Sequence, residues 1–162
     1  MKHHDNMEAT LKVRKDLLTL QKELLNYLKD IFEKENARSV APAEWLQVIM
    51  VSHRYIWLRE LTSLIADIDL LTELQEITTE QAALARFEID RLFFTSDPHS
   101  EFAKHYKHLL ATGAPFMVAH GHLKEATQKL PHSKHHPTAE EALAARKIWH
   151  EEHKNQSRKR RS

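Results

Sequence analysis

Between Glu8 and Glu35 the apolar residues fall in two adjacent rows with a seven-residue spacing, Leu11, Leu18, Leu25 and Phe32 in one and Leu17, Leu24 and Ile31 in the other, with charged residues opposite. A stripe of that width at the helical period predicts one long amphipathic helix over 8–35, capped by Asp5 or Asn6. Such a helix must bury its apolar face on something. A coiled coil with a second copy would place Arg14 and Gln21 in its seam, which favours packing inside the same chain.

Beyond a turn at 39–41, Pro42 suits the first position of a helix. Trp45, Leu46, Val48, Ile49, Met50 and Val51 are apolar nearly all round, so 43–51 is expected to be the most buried segment. Ser52 can cap a new turn that opens a long helix from His53 to about Glu73, with Trp57, Leu61, Leu64, Ile65, Ile68 and Leu71 on one face. Thr78 with Gln81 three residues later is a capping-box pattern for a helix to about Phe94. Asp97 followed by Pro98 predicts another helix, to about Ala111, which buries Phe102 and Tyr106. The 112–115 stretch, with its glycine and proline, breaks it, and 116–130 forms the last helix of the body. Pro131 and Pro137 bracket a linker, and Thr138 with Glu141 caps a helix to about Lys154 with a thin apolar stripe, Leu143, Ile148 and Trp149.

The expected fold is all-α. It is an antiparallel bundle of five to six helices over 7–130, a His/Pro linker at 131–137, a loosely attached C-terminal helix at 138–155 and a disordered basic tail at 156–162. No internal repeat is present.

Composition narrows the chemistry. Among 162 residues there are two glycines, five prolines, no cysteine and thirteen histidines. Phosphate-cradling loops need clustered glycines, because only a residue without Cβ lets backbone N–H groups close on a phosphate. Gly113 and Gly121 cannot supply one, so neither a Rossmann fingerprint nor a P-loop is present. Without cysteine there are no disulfides, thiolate zinc sites or thiol nucleophiles. The apolar share of 41% is enough for a core. No run approaches the ~18 apolar residues of a membrane span, and the polar start does not resemble a secretion signal, so the expected location is cytoplasmic.

Charge is unevenly spread. Residues 1–38 carry net +1, residues 39–98 net −6 and residues 99–162 net +6. The four cations of the middle block are all arginines, Arg54, Arg59, Arg86 and Arg91, as a packed and paired environment tends to select. Ten of the histidines lie in the last block.

Four groups of residues are candidates to carry function. Tyr55, Arg59, Asp69 and Glu73 share a polar helix face that would bind a small anion if it lined a cleft; the alternative is a network of structural ion pairs. Glu101, His105 and His108 stand at steps of four and three, and a helical hairpin could add His120 to form a divalent transition-metal site; the alternative is solvated histidines beside Lys104 and Lys107. The linker histidines His132, His135 and His136 offer at most weak metal capture. Arg146, Lys147, Trp149, Arg158, Lys159, Arg160 and Arg161 form a basic end suited to an acidic protein surface or to non-specific nucleic acid, with Trp149 free to stack on a base or dock on the body. No serine, histidine and carboxylate spacing implies nucleophilic catalysis.

The segment 51–69, followed by Tyr106 to Leu110 and Pro115 to His120, resembles a family of small bacterial all-helical proteins with no established activity. The matching positions are Trp57, Leu58, Arg59, Asp69, Tyr106 and His120, over about a third of the chain. The resemblance implies a bacterial source and a helical body, and assigns no function.

These observations lead to the expectation of a non-catalytic protein that needs no cofactor and binds a macromolecular partner, protein or nucleic acid, through its basic C-terminal end. Self-association is a further expectation, and metal or small-anion binding is the alternative.

Overall fold

The computed structural model describes residues 2–161, and all of their regular elements are helical. They are α1 (Lys2–Asn36), α2 (Pro42–Val51), a 3-10 segment (His53–Leu58), α3 (Arg59–Glu73), α4 (Thr79–Phe93), α5 (Glu101–Ala111), α6 (Met117–Thr127) and α7 (Ala139–Arg161). None is long and apolar enough to cross a membrane.

The long helix α1 packs within its own chain, against α3, α4 and α6. It begins before the expected caps. Asn6 lies inside the helix, buried, and its amide donates to the Ile77 carbonyl at 3.2 Å. The buried face is Val13, Leu17, Leu20, Leu24 and Leu28, whereas Leu11 is exposed and Leu18 and Leu25 only half-buried. This face is rotated from the expected stripe because Asn6 and Thr10 extend it with polar groups, the Thr10 hydroxyl donating to the Asn6 carbonyl at 2.7 Å. Arg14, which would spoil a coiled-coil seam, pairs instead with Asp69 of α3.

Helix directions follow from cross-helix contacts. Arg54 meets Glu35, Arg14 meets Asp69 and Asn6 meets Ile77, so α1 and α3 are antiparallel. Gln81 meets Glu152 and Glu88 meets Arg146, so α4 and α7 are antiparallel as well. Asp67 meets Arg146 and Glu73 meets His153, so α7 runs parallel to α3, and the bundle is not purely antiparallel. The linker allows this arrangement by turning back along α4. One Arg86 nitrogen donates to the carbonyls of Gln128 and Leu130, and the His136 ring lies 5.7 Å from the Phe87 ring.

Two local signals read from the sequence are realised atom by atom. Gln81 N–H donates to the Thr78 hydroxyl at 3.1 Å while Thr78 N–H donates to the Gln81 side chain at 2.9 Å. Thr138 and Glu141 make the same reciprocal pair ahead of α7. Asp97 does not cap α5. It accepts from His99 N–H within its own turn, and Ser100 is the cap, its hydroxyl accepting from Ala103 N–H at 3.0 Å.

Two further expectations are corrected. The 43–51 segment is not the most buried one: Leu46, Met50 and Val51 are exposed, and only Trp45 is buried, between Phe32 and Tyr55 at ring distances of 5.7 and 5.3 Å. A short helix at one end of a bundle has a neighbour on one side only, so its remaining apolar residues meet solvent.

The C-terminal helix is not loosely attached. Trp149 is 2% and Arg146 8% exposed, and the helix continues through the expected tail to Arg161; Ser162 lies outside the described residues. Its docking face is Ala142, Arg146, Trp149, His153 and Gln156, at alternating steps of four and three. Leu143 and Ile148, expected inside, are 54% and 55% exposed. Apolar periodicity misplaced this helix because its inward face is mostly polar.

That face predicts an asymmetric response to truncation. Trp149→Ala is expected to lower the unfolding free energy in urea by about 3–5 kcal/mol, the usual cost of emptying an aromatic site in a core, whereas Leu143→Ala changes it by less than about 0.5 kcal/mol.

Candidate functional site

The most connected group of charges in the molecule lies where α7 meets α3 and α4. Asp67 occupies the inward face of α3 among Leu64, Ile68 and Leu71, and Glu88 does the same on α4 among Leu84, Ala85 and Leu92. Arg146 reaches both. Its Nε donates to Asp67 at 2.6 Å, one terminal nitrogen to Glu88 at 3.0 Å and the other to the Ser63 hydroxyl at 3.0 Å. The second Glu88 oxygen takes Arg91 Nε at 2.7 Å, and Arg91 goes on to Asp97 at 3.1 Å and Glu60 at 3.6 Å. Glu60 in turn accepts from the Ser100 hydroxyl and from Phe102 N–H, which holds the start of α5.

Farther along α7, His150 meets Asp67 at 2.7 Å, His153 meets Glu73 at 2.5 Å, and Gln156 bonds both Gln75 N–H and the Glu73 carbonyl. Gln81 uses its amide nitrogen to hold Glu152 at 2.6 Å while its oxygen closes the capping box. Buried charges are stable only when paired and hydrogen-bonded, and Arg146 has all three nitrogens engaged. The network fastens helices, and it takes three of the five Arg146 N–H groups.

The other predicted groups do not converge as expected. Tyr55 is buried against Trp45, Arg59 is exposed, Asp69 pairs with Arg14, and Glu73 binds His153. The four residues line no common cleft, and their carboxylates serve as structural partners between helices. Glu101, His105 and His108 do line one shallow groove beside Trp57, but Glu101 pairs with Lys104 and His105 packs edge-on against Trp57 at 4.6 Å. His120 faces elsewhere, its Nδ1 2.8 Å from the Tyr106 hydroxyl, against Phe94. Among the described residues, no group of three or more His, Cys, Asp or Glu side chains is placed to hold a metal ion.

The basic end is divided by the docking of α7. Arg146 and Trp149 belong to the interior, so Trp149 is not available to stack on a base. Lys147, Lys154, Arg158 and Arg161 stand with Glu151 at steps of four and three on one exposed face, with Lys159 and Arg160 beside them. At about 1.5 Å rise per residue the row is roughly 20 Å long.

Comparison of the chain with protein-family models, with curated proteins and with solved structures finds no match.

Sequence reasoning missed Ser63, Asp67, Glu88, His150, Glu152 and Gln156. The available signal was an acid alone on an otherwise apolar helix face, at Asp67 and again at Glu88, which calls for a buried cation from elsewhere in the chain.

Replacing Arg146 with Met keeps the packing volume but strands Asp67 and Glu88, so Arg146→Met is expected to cost about 3–5 kcal/mol in urea unfolding. Acid sensitivity should come in part from His105 and His120. Burial pushes both rings below the ordinary histidine range; for His105, Glu101 opposes that shift and His108 adds to it, and for His120, Lys124 adds to it. The unfolded chain therefore takes up these protons first. The stability they contribute is complete above about pH 6.5 and is lost as pH falls toward the lowered folded values. A His105→Gln/His120→Gln variant should lose less stability than the parent between about pH 7.5 and 5.5; equal losses would contradict the assignment.

Proposed function

We propose that the protein is a non-catalytic helical protein that binds a macromolecular partner with an acidic surface through the exposed basic face of α7. The observation that supports this reading most directly is the exposed helical row Lys147, Lys154, Arg158 and Arg161, carried on a helix whose opposite side is fastened to α3 and α4. A rigid row of cations presents charge without the ordering cost that a disordered tail would incur on binding. Burial of Trp149 removes the aromatic platform that single-stranded nucleic acid would use, and Glu151 interrupts the row, so an acidic protein surface fits better than a phosphate backbone.

Because α7 is structural, deleting it is an unsuitable test, whereas reversing charge on its exposed face is suitable. Affinity capture with the intact protein and with Lys154→Glu/Arg158→Glu/Arg161→Glu should show partners retained by the first and lost by the second, at unchanged thermal stability. The binding of such a partner, once purified, should weaken as salt rises. A partner held equally by both proteins would overturn the reading, and a log–log salt slope of several units with duplex DNA would replace the protein partner with nucleic acid.

A further inference from the structure

A cavity of about 680 Å³ lies between α4, the turn at 95–99 and the start of α7, away from the basic face. Its size is within the range of roughly 300–1,000 Å³ typical of small-molecule sites. Phe87, Pro98, Pro137, Ala142 and Leu143 supply apolar walls, and the buried Arg146–Glu88–Arg91 chain forms its floor.

The charge around this cavity is unbalanced. Its lining holds three carboxylates, Glu88, Asp90 and Asp97, against two guanidiniums, Arg91 and Arg146, with the imidazoles of His99 and His136 beside them. Two of those acids, Glu88 and Asp97, are satisfied by hydrogen bonds of 3.1 Å or less. Asp90 is different. It lines the cavity half-buried, and among the described residues no group lies within hydrogen-bond distance of its carboxylate; Arg86 Nε stands 3.8 Å away and is itself buried without a hydrogen-bond partner. Burial pushes the Asp90 carboxyl above its ordinary range, although Arg86 and His132 pull it down.

We infer that this cavity binds a small organic cation, a protonated or quaternary amine carrying an apolar body, with Asp90 as its counter-ion. An anion would meet the acidic excess, and both arginines in the lining already serve carboxylates. A bare metal ion would need several ligands at one point, and among the described residues no such group exists. An organic cation needs one counter-charge and an apolar enclosure. Phe87, one turn before Asp90 on α4, provides an aromatic surface of the kind that attracts ammonium groups.

The test is an NMR titration of the full-length, isotope-labelled protein with three probes of similar size: benzyltrimethylammonium, benzyl alcohol and 3-phenylpropionate. The cation alone should give saturable shifts, centred on residues 87–99 and 136–146. Asp90→Asn should weaken its binding by about tenfold or more, as loss of a partly desolvated charge contact requires. Leu143→Lys places a competing cation at an exposed rim position and should also weaken binding without altering the fold, so it decides the matter if Asp90→Asn is poorly folded. Equal binding of benzyl alcohol, unchanged affinity in a folded Asp90→Asn protein, or no saturation by about 10 mM cation would overturn the inference.

Discussion

The guanidinium of Arg146 ties α7 to Asp67 and Ser63 on α3 and to Glu88 on α4, and the arrangement of the C-terminal half depends on that attachment. Removing two carboxylates and a cation from water is costly, and the cost is offset only when each charge finds a partner with good geometry. Arginine suits the position because its planar fork serves three acceptors while remaining ionised, which a lysine ammonium does less well. Through Glu88 the same chain of contacts reaches Arg91, then Asp97 and Glu60, then the first turn of α5. One polar path thus sets the relative position of four helices that are otherwise joined by apolar contacts with little directional preference.

This arrangement explains the charge asymmetry along the chain. The acidic middle block and the basic last block are complementary parts of one intramolecular contact, Asp67, Glu73 and Glu88 receiving Arg146, His150 and His153. Cations beyond Trp149 that lie off the docking face remain exposed to solvent, on a helix already fixed in place. The parallel course of α7 along α3 brings its start over the 95–99 turn and leaves the apolar space in which Asp90 lacks a close partner.

Much of the fold was legible in the sequence because the relevant signals are local. The reciprocal caps at Thr78 with Gln81 and at Thr138 with Glu141 act within four residues, and each is present as read. The arginine-only middle block also carried information: Arg54, Arg86 and Arg91 are engaged with carboxylates or carbonyls, Arg59 being the exception. What failed was apolar periodicity wherever the inward face is polar. On α1 the residues Asn6 and Thr10 hid the true face, and on α7 the residues Arg146, His153 and Gln156 did. Apolarity without a neighbour also misled, since α2 is rich in apolar residues yet mostly solvated. The candidate sites depended on contacts between residues 40 to 80 positions apart, Ser100 with Glu60 or Arg146 with Asp67, which no spacing along one chain reveals.

The central claim is that α7 belongs to the cooperative core by virtue of buried polar pairing. Native-state hydrogen exchange of its backbone amides tests this most directly, because exchange protection measures the free energy of local opening. The amides of residues 143–153 are expected to open with nearly the same free energy as those of α3, and to lose that protection together with it as denaturant is added. Amides in α7 that exchange freely while α1 and α3 stay protected would show the helix to be an appendage and would contradict the account.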